Sequence, residues 1–235
     1  MTYLFGDIHG CLKSFENLLD RLSPTKNDTV ITLGDYVDRG PDSCGVVDRL
    51  LKLQEETNLI GLRGNHEIMM IDALQGPPAS GFWLLNGGLE TLESYGVRKL
   101  SEVPQAHWEL FQSFEDYHII GNFLLTHATP DPTLAIEDFD LDALFWDRFR
   151  DLEARDDGYF VICGHTPQED RYPGVTEGHV CIDTSAVHGG YLTALTLENG
   201  EYLQADENGQ FRSGQIELPA LTESSTNPEE SVMAS

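Results

Sequence analysis

Cationic charge is what this sequence has least of: its 235 residues hold 14 lysines and arginines against 40 aspartates and glutamates, a formal net charge of −26. Such a surface repels nucleic acid and anionic lipid, so no nucleic acid and no membrane is expected as a partner. Only four of the cations are lysines, a bias shared by proteins of saline habitats and by many ordinary acidic bacterial proteins. An anionic substrate must therefore be held at short range, by metal ions or by a few placed arginines. Long apolar runs are also missing. None approaches the roughly 18 residues that mark a membrane-spanning helix. The opening Met1-Thr2-Tyr3-Leu4-Phe5 is too short for a secretory signal before the first Gly-Asp turn. A cytoplasmic location is the default expectation. Cysteine is sparse and scattered (Cys11, Cys44, Cys163, Cys181) with no Cys-x-x-Cys pair, so reduced thiols that pack as small apolar residues are expected rather than disulfides.

The residues that are present describe a globular α/β chain. Hydrophobic residues make up 40% of the sequence, too many for a disordered protein. Thr2 to Phe5, Thr29 to Leu33 and Asn58 to Leu62 read as strands, alternating with helical stretches at 12–22, 43–56 and 67–74. That rhythm belongs to a mainly parallel sheet. Residues 80–116 read as irregular helix with Phe82, Trp83 and Trp108 as core anchors. Strands return at 117–120, 123–126, 159–163, 179–182, 191–197 and 201–204. Asn199-Gly200 between the last two predicts a hairpin with a type I′ turn. Beyond Arg212 the chain turns acidic and rich in Ser, Thr and Pro. The expected division is a folded domain over 1–212 and a disordered tail over 213–235.

Three strand ends in the first half finish in polar turns: Gly6-Asp7-Ile8-His9-Gly10, Gly34-Asp35-Tyr36-Val37-Asp38-Arg39-Gly40 and Arg63-Gly64-Asn65-His66-Glu67. Two later ones end in Thr126-His127-Ala128 and Cys163-Gly164-His165-Thr166. Sites in open α/β sheets form at the carboxyl ends of strands, and flanking glycines let short side chains approach closely. A lone Asp or His after a strand is ordinarily a cap or a satisfied polar group. Five such turns together are poorly explained as caps. They supply Asp7, His9, Asp35, Asn65, His127 and His165, a carboxylate, imidazole and amide set suited to Mn, Fe or Zn. A carboxylate such as Asp35 can bridge two ions.

These segments resemble the phosphoprotein phosphatase (PPP) family of calcineurin-like metallophosphoesterases, and its compact bacterial and bacteriophage lambda-type members most of all. The likeness extends through Met69–Asp72, Trp83–Gly88 and Ile182-Asp183-Thr184 to Gly189-Gly190, and so covers nearly all of residues 2–200. It implies a single-domain metallophosphoesterase sandwich of four layers, a central β-sandwich flanked by helices. It implies two divalent ions, Mn²⁺ foremost with Fe or Zn as alternatives. Asp7, His9 and Asp35 resemble the ligands of the first ion, and Asp35, Asn65, His127 and His165 those of the second. The implied activity is a serine/threonine protein phosphatase acting on phosphorylated proteins or peptides, by direct attack of a hydroxide held between the metals. His66 resembles the general acid and Asp38 the carboxylate that orients it. Arg39, Arg63 and Arg148 resemble phosphate-binding arginines, while Glu67 reads as a brace for its turn.

The chain departs from the family pattern in places. Thr129 and Ser185 stand where glycine is usual, and His188 where relatives commonly carry an aromatic residue; a partly exposed polar histidine is its plainer reading. His107, His118 and His179 have no motif around them and read as structural. A symmetrical bis(5′-nucleosyl)-tetraphosphatase shares the opening Tyr3–Cys11 pattern. That group, however, typically lacks the acidic residue at the position of Asp38, has GNHD where this chain has GNHE, and is longer. A non-catalytic binding module of the same fold would have lost metal ligands, and none is missing.

Overall fold

A computed structural model describes residues 1–150 and 153–222. The first half alternates as its sequence pattern predicts: β1 (Thr2–Phe5), α1 (Leu12–Leu22), β2 (Thr29–Thr32), α2 (Ser43–Glu56), β3 (Asn58–Gly61) and α3 (Asn65–Asp72). α2 starts where Asp42 accepts a hydrogen bond from the Gly45 N–H at 2.9 Å, satisfying one of the donors that a helix start leaves unpaired. A helical unit follows, with α4 (Ala79–Trp83), a π turn at Leu84–Gly88, α5 (Leu89–Ser94) and α6 (Gln105–Ser113). Then come β4 (Tyr117–Ile120), β5 (Phe123–Thr126), α7 (Leu141–Trp146), β6 (Phe160–Cys163), β7 (Gly174–Thr176), β8 (His179–Cys181), β9 (Leu192–Thr196), β10 (Glu201–Ala205) and β11 (Phe211–Gln215).

The strands form two mixed sheets, ordered β11-β10-β9-β1-β2-β3 and β4-β5-β6-β8-β7. β1, β2 and β3 run parallel, as do β5, β6 and β8. Alternation along each strand divides its side chains between two faces. Leu4 and Ile31 point between the sheets and meet Phe123, Leu125, Ile162 and Val180. Phe5 and Val30 point outward and pack under α1 and α2 with Phe15, Leu18, Val46 and Leu50. The opposite face of the second sheet (Leu124, Val161, Cys163, Cys181) is covered by Ile136, Phe139 and Phe149 of the connection between β5 and β6. Buried Arg155 ties that connection together, pairing with Asp157 and donating to the Leu134 carbonyl at 2.8 Å.

Three expectations need correction. The turn between β9 and β10 is not type I′, which needs two positive φ angles. Only Gly200 has one (+73°), and its N–H closes the loop on the Thr196 carbonyl at 2.9 Å. The tail does not begin at 213: β11 runs to Gln215, Ile216 is buried, and Leu218 and Leu221 pack against the core between the sheets. The remainder of the expected tail, 223–235, lies outside the described residues. β7 and β11 are additional strands.

Candidate active site

The turns after β1, β2, β3, β5, β6 and β8 meet at the carboxyl ends of the two sheets. They do so on a strained backbone. Of the non-glycine residues with positive φ, His9, Asp35, Asp38, Arg39 and His165 all belong to this site. Each such residue costs on the order of 1–3 kcal/mol, which the surrounding fold must offset. Glycine is required where two turns touch: a Cβ at Gly64 would collide with the Asp35 carboxylate, and one at Gly164 with that of Asp7.

The donor atoms converge. Asp35, His127 and His165 form one buried group, and Asp35, His9 and His66 another. Asn65 Oδ1 lies 3.0 Å from His127 Nε2 and 3.1 Å from His165 Nδ1. His127 Nδ1 donates to the Leu33 carbonyl at 2.7 Å, and His9 Nδ1 to that of Val37 at 2.8 Å. Both imidazoles are thereby fixed with Nε2 turned into the site, the way a metal-binding histidine is oriented from behind. Asp7 sits beside them, each carboxylate oxygen 3.0 Å from the His165 N–H.

The electrostatics ask for cations. Burial, with Asp183 and Asp35 nearby, pushes the Asp7 carboxyl well above its usual range. Burial likewise raises Asp183 to about 6. Asp35 is held low despite its burial because His127, His66 and His9 surround it. Burial and neighbouring His127 push His165 down to about 3, so it is a neutral donor. Burial lowers His127 as well, whereas His9, though buried, is raised by the Asp35 carboxylate beside it. A cluster of buried carboxylates facing imidazoles, with a shared aspartate at its centre, fits two divalent ions. Asp7, His9 and Asp35 would hold one; Asp35, Asn65, His127 and His165 the other.

Asp183 was not among the expected site residues, although Ile182-Asp183-Thr184 closes a strand as the other turns do. Its folded pKa lies above that of a free carboxyl, so it keeps a proton that the unfolded chain has already released. Metal-free protein therefore loses stability from this group as pH rises from about 4 to about 6. Asp183→Asn should gain stability over the parent across that window, on the order of 3 kcal/mol above it. Chemical denaturation of the chelated proteins at several pH values measures the difference. A gap independent of pH would show that Asp183 does not titrate there.

Glu67 braces its turn as the sequence suggests: its carboxylate accepts from the N–H groups of Asp35 (2.9 Å), Tyr36 (2.8 Å) and Gly64 (2.9 Å). His66 Nδ1 lies 2.7 Å from Asp38 Oδ2, and both side chains are buried. Its Nε2 has no hydrogen-bond partner among the described residues. Burial lowers the His66 pKa, while Asp35 and Asp38 push it back up. Asp38 is held in turn by the Trp83 indole N–H at 3.0 Å and by the Thr91 hydroxyl at 2.7 Å. The sequence marks Trp83 only as a core anchor.

A cavity of 310 Å³ opens above these groups. Asp35, Asn65, His66 and His165 line its floor, with Arg39, Arg148, Asn86, Trp146, Pro167 and His188 around them. Arg39 Nη1 lies 3.0 Å from His9 Nε2. Arg63 is not brought here. It does not line the cavity, and its guanidinium pairs with Asp116, which the bridge between Leu62 and Glu115 carries alongside. His188 does line the cavity. His107, His118 and His179 lie elsewhere, bonded to Asp48, Glu115 and the Glu177 carbonyl. Ser185 adopts φ +65°, the conformation that favours glycine at this position. Burial pushes the Cys11 thiol up to about 12, which suits packing rather than redox chemistry.

The pattern of calcineurin-like phosphoesterases matches residues 2–199. The chain belongs to that family, and is a metallophosphoesterase. It is 31% identical over 218 residues to serine/threonine-protein phosphatase 1 of Salmonella typhimurium, covering 84% of this chain and 92% of the relative. It is 28% identical over 238 residues to the asymmetrical bis(5′-nucleosyl)-tetraphosphatase PrpE of Oceanobacillus iheyensis, covering 88% and 93%. The cold-active protein-tyrosine phosphatase of a psychrophilic Shewanella shares the fold, with a TM-score of 0.65 at 16% identity over 91% of this chain and 80% of that one.

Proposed function

We propose that the protein is a cytoplasmic serine/threonine protein phosphatase with two divalent ions, Mn²⁺ foremost, acting on phosphorylated proteins or peptides. The observation that carries the reading is the Asp38–His66 pair, 2.7 Å apart, set beside the cavity floor. The alkoxide of serine or threonine is strongly basic and needs a proton as it leaves; a buried imidazole with a free Nε2 can deliver one. Asp38 fixes the ring and stabilises its charged form. Arg39 and Arg148 reach into the same cavity, where a planar guanidinium suits two phosphate oxygens at once. Bound divalent ions would supply a water deprotonated near neutral pH and offset phosphate charge. Asp35, with the histidines and Asn65 around it, would hold them.

The PrpE likeness favours a second reading, hydrolysis of a dinucleoside tetraphosphate. Most of such a molecule would project out of a 310 Å³ cavity, across a surface of net charge −26. A phosphomonoester needs only the ions and the local arginines. Phosphoserine and phosphothreonine peptides should therefore show a higher kcat/KM than diadenosine tetraphosphate, in steady-state assays of metal-reconstituted protein. Because the arginines act at short range, added salt should weaken binding only modestly. A reversed preference would move the assignment to the tetraphosphatases.

A further inference from the structure

A second groove, of 300 Å³, lies against the helical unit between α3 and α6, apart from the active-site cavity. Its wall is apolar: Leu74, Trp83, Leu84, Leu92 and Leu100. At its rim stand Arg98 and Lys99, two of the 14 cations of a chain with 40 acidic residues. Both are exposed, and neither is in an ion pair among the described residues. The nearby Glu102 carboxylate is taken up by their backbone N–H groups, at 3.0 and 3.2 Å. A cationic edge on an apolar groove, on a surface otherwise strongly negative, selects by charge for an acidic partner. Leu74 is 53% exposed, so the groove is open enough for a peptide side chain.

The same unit holds the active site from behind. Trp83 lines the groove, and its indole N–H is the one that bonds Asp38. Thr91, one residue before groove-lining Leu92, donates to Asp38 Oδ1 and accepts from the Asp38 N–H at 2.8 Å. Whatever fills the groove therefore packs against Trp83, a side chain that holds His66's partner, and against Leu92, next in the chain to a second one, Thr91.

We propose that this groove is a docking site for an acidic, apolar peptide segment of a partner protein, one presenting a leucine-class side chain beside a carboxylate, and that its occupation tunes proton delivery by the Asp38–His66 pair. The claim is independent of which phosphate ester the cavity takes.

The test uses metal-reconstituted full-length protein and three capped tetrapeptides: Glu-Leu-Leu-Glu, Gln-Leu-Leu-Gln and Lys-Leu-Leu-Lys. Calorimetric titration should rank them in that order. The double variant Arg98→Glu, Lys99→Glu should bind the acidic peptide about tenfold more weakly. Lys13→Glu with Lys26→Glu, which changes net charge equally at exposed positions elsewhere, should not. Basal hydrolysis of p-nitrophenyl phosphate should be unchanged in both variants. Saturating acidic peptide should shift kcat at least twofold on phenyl phosphate, whose leaving group needs a proton, and less on p-nitrophenyl phosphate. Equal binding of all three peptides, or equal weakening in both double variants, would overturn the docking site. Octanoate binding as tightly as the acidic peptide would make the groove a small-molecule pocket instead. Tighter peptide binding after Glu229→Lys with Glu230→Lys would assign it to the chain's own C-terminal segment. An equal kcat shift on both substrates would overturn the link to Asp38.

Discussion

His66→Asn should lower kcat on alkyl phosphates by about a hundred- to ten-thousandfold, the usual worth of a positioned general acid, while leaving metal content intact. Asparagine can keep a hydrogen bond toward Asp38 but cannot give up a proton. The loss should be much smaller on p-nitrophenyl phosphate, whose leaving group is stable as the anion. Asp38→Asn should share this signature in weaker form, because Nδ1 of His66 would still have a partner at 2.7 Å but no longer a charged one. The parent's activity on alkyl phosphates should fall as pH rises through the His66 pKa, and the His66→Asn variant should lack that limb. Equal losses on alkyl and p-nitrophenyl phosphates would make His66 a positioning residue rather than the proton donor.

The parts of this site that could be read from the sequence are those encoded within a few residues. Asp7, Asp35, Asn65, His127 and His165 each follow an apolar strand directly, and strand ends in parallel sheets converge. The helices at 12–22 and 43–56 have the spans read from their periodicity. Illegible were pairings between segments far apart in the chain. Trp83 reaches Asp38 across 45 residues and Arg63 meets Asp116 across 53, and no local pattern announces either. β7 has three residues, and β11 (Phe-Arg-Ser-Gly-Gln) is an edge strand without apolar alternation. Neither offers the period-two signal from which strands are read. The β9–β10 hairpin was legible in position but not in turn type, since Asn-Gly permits more than one loop that needs a single positive φ.

Substitution at Asp35 should have the widest effect of any single change. Its two oxygens face separate groups: Oδ2 lies 3.2 Å from His9 Nε2 and Oδ1 3.4 Å from His127 Nε2. Oδ1 also accepts from the His66 N–H at 3.1 Å. Among the described residues no other side chain belongs to both clusters of ligand atoms. Asp35→Ala should therefore abolish binding at both positions, whereas Asp7→Ala should remove only the ion shared with His9. Elemental analysis after reconstitution with Mn²⁺ should give two ions per chain for the parent, one for Asp7→Ala and none for Asp35→Ala. kcat/KM should fall at least about a thousandfold in Asp35→Ala, since each ion stabilises transition-state charge by several kcal/mol. Stability supplies a readout that does not depend on turnover. Added Mn²⁺ should raise the Tm of the parent by mass action and leave that of Asp35→Ala unchanged. Asp35→Ala protein that still carried two ions would show that the clusters are held independently, and that Asp35 is not the ligand they share.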